Sequence, residues 1–252
     1  MIKVSIITPS YNQGQFIEAT INSVLNQTYK NIEYIILDAC STDNTADVLE
    51  KYRHKAAIIC EKDKGQSDAI NKGFKMASGE LVGWINSDDL LYPDCVERIV
   101  AAYQANAQAA IYYNSNYSVI DTDGQLISES TLNVYNREYL LRRKFDVLQP
   151  GSFYVSENVR KVNYLDDKIH YCMDLDLWLK LLNFGGIVDI KGTAIAAYRE
   201  WELTKTSTGA ERFYKNIYDV LIKHGAKITD KSIRNVLVLY AKNLVKTKLK
   251  LS

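Results

Sequence analysis

The chain has 252 residues, of which 47% are hydrophobic and 24% are charged. These values match globular proteins and exclude a disordered, collagen-like or coiled-coil chain, and the length suits one large α/β domain or two small ones. The formal net charge of +1 by itself points to neither a nucleic acid nor an acidic partner.

Strand and helix patterns alternate through the first half of the chain. Short β-branched or apolar runs predict strands at residues 4–8, 32–37, 57–60, 81–85 and 111–113. Apolar residues at helical spacing and helix-capping residues predict helices at residues 16–26, 45–49, 67–76 and 94–106. This alternation predicts right-handed βαβ units and a parallel sheet.

The second half has a mixed pattern. Residues 119–128 predict a hairpin, because Asp123-Gly124 favours a two-residue turn. A helix is predicted at residues 174–184, strands at 187–190 and 194–198, and two closing helices, the last starting near residue 230. No repeat or linker interrupts the sequence, so we expect one compact unit with a nucleotide-type half and an appended half.

The cysteines and the N-terminus indicate the compartment. Cys40, Cys60, Cys95 and Cys172 form no Cys-x-x-Cys pair, which argues against a zinc cluster or a secreted disulfide framework and favours a reducing cytoplasm. The N-terminal apolar run is too short for a signal peptide, and no apolar stretch approaches the about 18 residues of a membrane span. We expect a protein that is soluble or lies on a surface.

Carboxylates follow three of the first four predicted strands. Asp38, Asp63 and the pair Asp88-Asp89 fall where open parallel sheets bind ligands. Asp38 alone is equally typical of a turn, but two adjacent acids repel each other, and a divalent cation with ligand phosphates would relieve that repulsion. Gly-x-Gly-x-x-Gly and Gly-x-x-x-x-Gly-Lys-Ser/Thr motifs, zinc-like His spacing and a Gly-x-Ser-x-Gly elbow are all missing from the sequence.

Six segments of the first half, in this order, resemble the family 2 glycosyltransferases. They are residues 4–12 (VSIITPSYN), 23–28 (SVLNQT), 38–45 (DACSTDNT), 63–73 (DKGQSDAINKG), 77–80 (ASGE) and 84–89 (WINSDD). Residues 174–180 (DLDLWLK) are similar to the acceptor-side helix of the family. The resemblance covers approximately residues 1–200 and implies the GT-A fold: an α/β, Rossmann-like, mixed but mainly parallel sheet flanked by helices, with a C-terminal helical extension. The implied catalytic domain spans residues 1–205. It is divided into a nucleotide-sugar-binding half (1–115) and an acceptor-binding half (116–205). The C-terminal helices with a basic tail follow at residues 206–252.

The resemblance also implies roles for individual residues. The nucleotide-binding set is Thr8, Pro9, Tyr11, Asp38, Gln66, Asp68, Asn71 and Asp88, with the first three lining a base pocket and Asp38 accepting a hydrogen bond from the base imide. Asp89, aided by Asp88, would ligate Mg²⁺ or Mn²⁺. Asp174 would be the catalytic base, with Asp176 as a competitor on the same helix. The chain departs from the family at Met173, where a Glu usually precedes the base, at Ile70, where many relatives carry Arg, and at Ala39-Cys40, which replace small glycines.

Four further residues are candidates for acceptor or phosphate contacts. Arg199 and Lys205 could add positive charge from a closing loop, although an ordinary solvated turn fits these residues equally well. Trp178 and Trp201 could stack on sugar rings, and for Trp178 a place in the core is the more common outcome.

The C-terminal segment is strongly basic. Residues 223–252 contain eight Lys or Arg and one acid, a charge of +7, whereas the rest has 23 basic and 29 acidic residues, a charge of −6. This segment is either a closing helix with a frayed end or a surface for anionic lipid, at about 1 kcal/mol per basic residue. A polyprenyl-diphosphate-linked acceptor, as in bacterial surface-polysaccharide assembly, would fit the second alternative.

Together these features predict a metal-dependent, non-processive, inverting glycosyltransferase that uses a UDP-linked sugar and a glycan or lipid-linked glycan acceptor. We expect it in the cytoplasm, at or near the inner face of the membrane, without a nucleic-acid partner. The missing Gln-x-x-Arg-Trp motif argues against a processive synthase. A sugar nucleotidyltransferase and a catalytically silent nucleotide- or glycan-binding protein remain the alternatives.

Overall fold

The structure is a computed structural model that describes residues 1–202 and 209–249. Its strands are β1 (Val4–Ser10), β2 (Ile32–Asp38), β3 (Ala57–Cys60), β4 (Leu81–Trp84), β5 (Leu90–Leu91), β6 (Ile111–Tyr113), β7 (Asn116–Ile120), β8 (Leu126–Thr131), β9 (Phe153–Val155), β10 (Ile187–Asp189) and β11 (Ala196–Arg199). Its helices are α1 (Ile17–Leu25), α2 (Thr45–Glu50), α3 (Gln66–Met76), α4 (Cys95–Ala105), α5 (Arg137–Arg142), α6 (Ser156–Lys161), α7 (Met173–Leu181), α8 (Ala210–Lys223) and α9 (Lys231–Leu249).

The main sheet has seven strands in the order β10-β6-β9-β4-β1-β2-β3. Strands β1 to β4 pair with one another in parallel, and β9 runs antiparallel to both of its neighbours, β4 and β6. Gly83 of β4 lies opposite Phe153, and a Cβ at this position would lie 2.8 Å from the Phe153 ring. The close approach of these two strands therefore requires glycine. The predicted mixed, mainly parallel sheet is confirmed.

A smaller sheet has four strands in the order β5-β11-β7-β8, and it joins β5 of the first half to strands that come later in the chain. Strands β7 and β8 form the predicted hairpin. The connection is longer than the predicted two-residue turn and spans residues 121–125, because the Asp121 carboxylate accepts the N–H groups of Asp123 and Gln125. Gly124 has φ +81° within it, a value that glycine adopts without strain.

Two hydrophobic clusters cover the two faces of the main sheet. Adjacent strand residues point to opposite faces, so Ile6 belongs to the cluster beneath α1, α2 and α4, and Ile7 to the cluster beneath α3 and α7. Ile217 of α8 and Ile233 of α9 belong to the same cluster as Ile7. The two C-terminal helices therefore pack on the common core, as predicted for the first half of the last helix. The proposed boundaries at residues 115 and 205 stay predictions.

Four short elements were not predicted: β5, β9, α5 and α6. They contain two, three, six and six residues, too few to show a periodic pattern. The long elements agree with their predicted positions to within a few residues. Because β1 to β4 are parallel, their carboxyl ends lie along one edge of the sheet, and the residues that follow them can form one site.

Candidate active site

A single large cleft of about 1160 Å³ opens at the carboxyl edge of the main sheet. Residues after β1 to β4 form one end, among them Pro9, Tyr11, Gln66 and Asp88, and Asp174 and Trp201 also line the cleft. Six of the residues predicted for binding or catalysis therefore share this cleft. A second pocket, of about 320 Å³, lies around Lys168, Tyr171 and Arg212.

The adjacent acids Asp88 and Asp89 point in different directions. Asp88 lines the cleft, whereas Asp89 is 1% exposed and its carboxylate accepts the Arg199 backbone N–H at 2.9 Å and the Asn86 side-chain amide at 3.0 Å. Burial, aided by the charge of Asp88, raises the pKa of Asp89 well above its usual range. Asp89 is therefore held by bonds within the protein, whereas Asp88 borders the cleft, and the role of Asp89 as a metal ligand stays a prediction.

Asp88 is held by two residues of the second half of the chain. Its Oδ2 accepts the indole N–H of Trp201 at 3.0 Å, and its backbone carbonyl accepts the Arg199 Nε–H at 2.7 Å. Desolvation raises the pKa of Asp88 despite these contacts. A cation placed against this carboxylate would offset the desolvation and favour the charged form.

Arg199 is a buried residue of strand β11 and does not belong to a loop. Its side chain is 3% exposed, donates to the carbonyls of Asp88 and Thr122, and lies 4.8 Å from the ring centroid of Phe16. Trp201 packs against the same ring edge-to-face at 5.1 Å. Its Nε and Nη1 groups donate to backbone carbonyls, and a contact between Arg199 and a phosphate stays a prediction. Lys205 lies outside the described residues.

The residues after β2 form a hydrogen-bonded loop. Asp38 is 2% exposed, and its two oxygens accept the backbone N–H and the hydroxyl of Ser41 at 2.9 and 2.6 Å. Ser41 and Thr42 in turn bind the backbone N–H and the side chain of Asn12. Asp38 thus shapes the end of the cleft that contains Tyr11, and its contact with a base stays a prediction. Thr8 does not line the cleft, because its hydroxyl is buried against that of Tyr34 at 3.0 Å.

Three residues of helix α3 were predicted to bind the nucleotide, and one of them lines the cleft. Gln66, at its first turn, lines the cleft and donates to Asn86 Oδ1 at 2.8 Å. Asp68 accepts the Lys64 N–H and pairs with Lys72, and Asn71 binds both the N–H and the carbonyl of Leu165. Neither Asp68 nor Asn71 lines the cleft, and a contact between either residue and a nucleotide stays a prediction.

Helix α7 separates its two acids as expected for positions i and i+2. Asp174 lines the cleft at the first turn, where the helix N-terminus stabilises negative charge. Asp176 is fully buried and contacts Lys180 at 2.6 Å, His224 at 2.8 Å and Lys223 at 3.1 Å. Burial raises the pKa of Asp176, but the bonds from these partners outweigh it and hold the pKa below its usual range.

Trp178, one turn further along α7, is a core residue. It is fully buried and its indole N–H donates to the Tyr154 hydroxyl at 3.1 Å. The alternative that places it in the core is confirmed, and the sugar contact is corrected.

Several cleft residues carry a signal that only the three-dimensional structure shows, and of the five below only Gln66 was predicted to bind a ligand. Five side chains that line the cleft carry a buried polar atom with no hydrogen-bond partner in the described structure: Ser10, Gln13, Gln66, Trp84 and Gln149. Unsatisfied buried polar groups are costly, so their concentration in one cleft indicates a polar ligand. The opposite wall is apolar and includes Leu132, Phe145, Val147, Leu148, Phe213, Tyr214, Ile217 and Leu239.

The carboxylates of the cleft could hold a divalent cation only if a bound ligand supplied further oxygen atoms. Among residues 1–202 and 209–249, no three His, Cys, Asp or Glu side chains are grouped to hold a metal ion. Two carboxylates that line the cleft, Asp88 and Asp146, have a pKa raised by burial, and of these two only Asp88 follows a strand of the main sheet at its carboxyl edge. Mg²⁺ typically binds through one or two carboxylates and the phosphates of a substrate, so this arrangement fits such an ion. In the described part of the chain, no helix is both long and apolar enough to cross a membrane.

Comparison with known proteins identifies the family. The family model described as Glycosyl transferase family 2 matches residues 5–158, more than half of the chain. The chain belongs to this family. The match includes Asp38, Asp88 and Asp89 and ends before Asp174.

Sequence comparison also finds relatives whose names describe the synthesis of polysaccharides. The chain is 28% identical over 235 residues to chondroitin synthase of Escherichia coli (89% of this chain, 33% of that protein). It is also 28% identical over 260 residues to TuaG of Bacillus subtilis, named for teichuronic acid biosynthesis (98% and 97%). It spans between 33% and 60% of the length of three curated relatives that it matches.

Two solved structures share the fold. S. aureus TarS in complex with UDP-GlcNAc superposes with a TM-score of 0.68 at 18% identity and covers 96% of this chain and 72% of that one. The mannosyltransferase PcManGT of Pyrobaculum calidifontis, in complex with GDP-Man and Mn²⁺, gives 0.63 at 16% identity and covers 98% and 75%. The predicted GT-A fold is thereby confirmed.

Proposed function

We propose that the chain is an inverting, metal-dependent glycosyltransferase that moves a sugar from a nucleotide-diphospho-sugar to a hydroxyl group of a glycan or lipid-linked glycan. One observation carries the proposal: Asp88 and Asp174 line the same cleft, together with five buried polar groups that lack partners. Family membership supports the reaction type.

The donor would bind at the end of the cleft formed by the residues after β1 to β4. Pro9 and Tyr11 line the cleft and offer surfaces for a base. Asp38 is 2% exposed and does not line the cleft, so a bond from a base imide to its carboxylate would require the Ser41 loop to move. Because TarS binds UDP and UDP-GlcNAc while PcManGT binds GDP-Man, we favour a UDP-sugar and include GDP-sugars in the test.

Asp88 would hold Mg²⁺ or Mn²⁺ against the donor diphosphate. When bound, such an ion neutralises the charge that develops on the leaving diphosphate. The chain's own contribution is to fix Asp88 through Trp201 and Arg199 and to keep it desolvated, where electrostatic interactions are strong.

Asp174 would take the proton from the acceptor hydroxyl. A positioned base typically contributes about 10²–10⁴-fold to the rate, and attack on the anomeric carbon from the face opposite the nucleotide inverts its configuration. Met173 replaces the Glu expected beside the base, so Asp174 acts without a neighbouring carboxylate in sequence.

The acceptor would lie between Asp174 and the apolar wall. Chondroitin synthase and TuaG, by their names, make polysaccharides, which supports a glycan acceptor, and the apolar wall suits a lipid-linked one such as a polyprenyl diphosphate. Leu237, Val238 and Leu239 of α9 are exposed beside the exposed Arg234 and Lys242. This surface would contact anionic lipid at the cytoplasmic face of the membrane.

The decisive experiment is a donor screen. UDP- and GDP-sugars are incubated with the purified chain and short glycan acceptors, and nucleoside diphosphate release is measured with Mn²⁺, Mg²⁺ or EDTA. We expect release with one donor class, loss of release in EDTA, and loss in Asp88→Asn but not in Asp47→Asn, an exposed acid of α2 away from the cleft.

Other outcomes would refute the proposal in distinct ways. Nucleotide binding without turnover for any donor and acceptor would favour a binding protein. Formation of a sugar nucleotide from a sugar phosphate would favour a nucleotidyltransferase. Full activity in EDTA would refute the role of the metal.

A further inference from the structure

Two of the four cysteines lie in contact at the end of the cleft that contains Tyr11. The Sγ atoms of Cys40 and Cys60 are 3.5 Å apart. Cys60 ends β3 directly opposite Asp38 of β2 in the sheet register, and Cys40 follows Asp38 by two residues. Cys60 is exposed, and Cys40 lines the cleft. The pair is therefore accessible to small solutes on one side and to a bound nucleotide on the other.

The loop that carries Cys40 is strained and held by few bonds. Cys40 has φ +59°, a left-handed conformation that costs a non-glycine residue roughly 1–2 kcal/mol. The loop is restrained by the bonds from Ser41 to Asp38 and by the bonds of Ser41 and Thr42 to Asn12. A change at Cys40 is thus transmitted to Asp38 and to the segment that includes Tyr11.

We propose that Cys40 and Cys60 form an oxidation site: a peroxide converts the two thiols to an intrachain disulfide, and the disulfide weakens nucleotide binding. The first part stands on the geometry of the two sulfur atoms. The second part rests on the proposed function, because it assigns the nucleotide to this end of the cleft.

The reaction balances with one peroxide molecule. One thiolate attacks a peroxide oxygen, the O–O bond breaks, and a sulfenic acid and water form after proton uptake. The second thiol then attacks the sulfenic sulfur, the S–S bond forms, and a second water leaves. Two cysteines lose two electrons and two protons, and hydrogen peroxide is reduced to two water molecules.

Closing the bond requires a local movement. A disulfide is about 2.05 Å long, so the sulfur atoms must approach by about 1.5 Å from their present 3.5 Å. The more mobile partner is Cys40, because Cys60 is fixed in the sheet by its pairing with β2. Drawing Cys40 toward β3 displaces Ser41, whose two bonds position the Asp38 carboxylate.

The reactivity of the pair depends on pH. The hydrogen bond to Cys40 and desolvation raise the pKa of the Cys60 thiol, and the Asp38 carboxylate adds to the effect. The charged groups facing Cys60 are Asp38 from β2 and Arg53 from the turn after α2. Because the thiolate is the reactive form, oxidation should be slow at neutral pH and faster in mild alkali.

The test uses the full reduced chain and hydrogen peroxide. Peptide mapping by mass spectrometry without reduction should show a linked peptide pair containing Cys40 and Cys60, lighter by two hydrogen atoms. The buried Cys95 and Cys172 should remain thiols and serve as internal controls. UDP affinity, measured by calorimetry, should fall by about tenfold or more, the equivalent of one charge-assisted hydrogen bond, and recover on adding dithiothreitol.

A matched variant separates the disulfide from other damage. In Cys60→Ser, peroxide should produce no linked peptide and no loss of UDP affinity relative to the same variant before treatment. Sulfinic acid at single cysteines, links between two chains, or a Cys40–Cys60 link without any change in affinity would overturn the proposal. If the reduced chain binds neither UDP nor GDP, the proposed function fails, while the peptide map still decides whether the disulfide forms.

Discussion

Two acids of α7, separated by one residue, should give opposite results when each is changed to asparagine. Asp174 lines the cleft, whereas Asp176 is buried against Lys180, Lys223 and His224. The substitution removes one negative charge in each case and changes the side-chain volume little. The pair therefore separates catalysis from stability within one helix.

The structure sets the expected magnitudes. Asp174→Asn should reduce turnover by about 10²–10⁴-fold, equivalent to about 3–5.5 kcal/mol of transition-state stabilisation. Asp176→Asn leaves three basic groups facing a neutral amide, and removing one partner of a buried ion pair costs about 3–5 kcal/mol. For a chain of this size that corresponds to a fall in Tm of about 6–20 °C.

The effect of Asp176 should also depend on pH. Its pKa is lower in the folded chain than its ordinary value of 3.8, so its contribution to stability is present above that value and is lost as the pH falls below it. The difference in Tm between the parent chain and Asp176→Asn should therefore shrink on acidification.

Three measurements check the pair: nucleoside diphosphate release, UDP affinity by calorimetry, and Tm. We expect Asp174→Asn to retain UDP affinity and to keep Tm within a few degrees. Turnover in Asp174→Asn within about threefold of the parent, far below the effect of a positioned base, would refute its role. Loss of turnover in Asp176→Asn without any loss of stability would instead make Asp176 the base.

Three further predictions follow from buried contacts and the basic tail. Arg199→Lys should lower Tm and weaken metal-dependent activity. Lysine cannot reproduce both the planar stacking on Phe16 and the bonds to several carbonyls. An unchanged dependence of nucleoside diphosphate release on metal concentration would contradict this. Glu33→Gln should destabilise the fold at neutral pH by at most about 3 kcal/mol, and by less to the extent that solvent screens this partly exposed group. Desolvation raises the pKa of Glu33, but bonds from Ser5, Ser78 and Lys3 bring it to about 2, so urea unfolding of the two forms should converge between about pH 4.5 and 2. Removing residues 242–252 should reduce flotation with anionic liposomes, and equal flotation would exclude the tail as a membrane contact.

The sequence was most informative where short strands end in polar residues. The apolar runs before Asp38 and Asp88 predicted the strands and placed both residues at one edge of the sheet. The helical spacing from Leu175 to Leu182 predicted α7 and left Asp174 at its start. These features are local, and local patterns are visible in one sequence.

The remaining features depend on partners far away in the chain. Two adjacent acids give no indication of which one faces the ligand, and here the choice is made by Arg199, 110 residues after Asp89. The apolar wall combines segments from Leu132 to Leu239, and no local pattern links them. Strand β9 was not predicted for a different reason: its three residues are too few to show a periodic pattern.

The bonds that Arg199 makes have a consequence for how the specificity of such a protein can change during evolution. Arg199 belongs to the small sheet, yet it fixes the position of the carboxylate proposed to face the donor. Mutations in the β7–β8 hairpin that adapt the chain to a new acceptor would therefore also shift that carboxylate. If the two halves bind acceptor and donor as proposed, exchanging only one half between two homologous chains should therefore impair both functions.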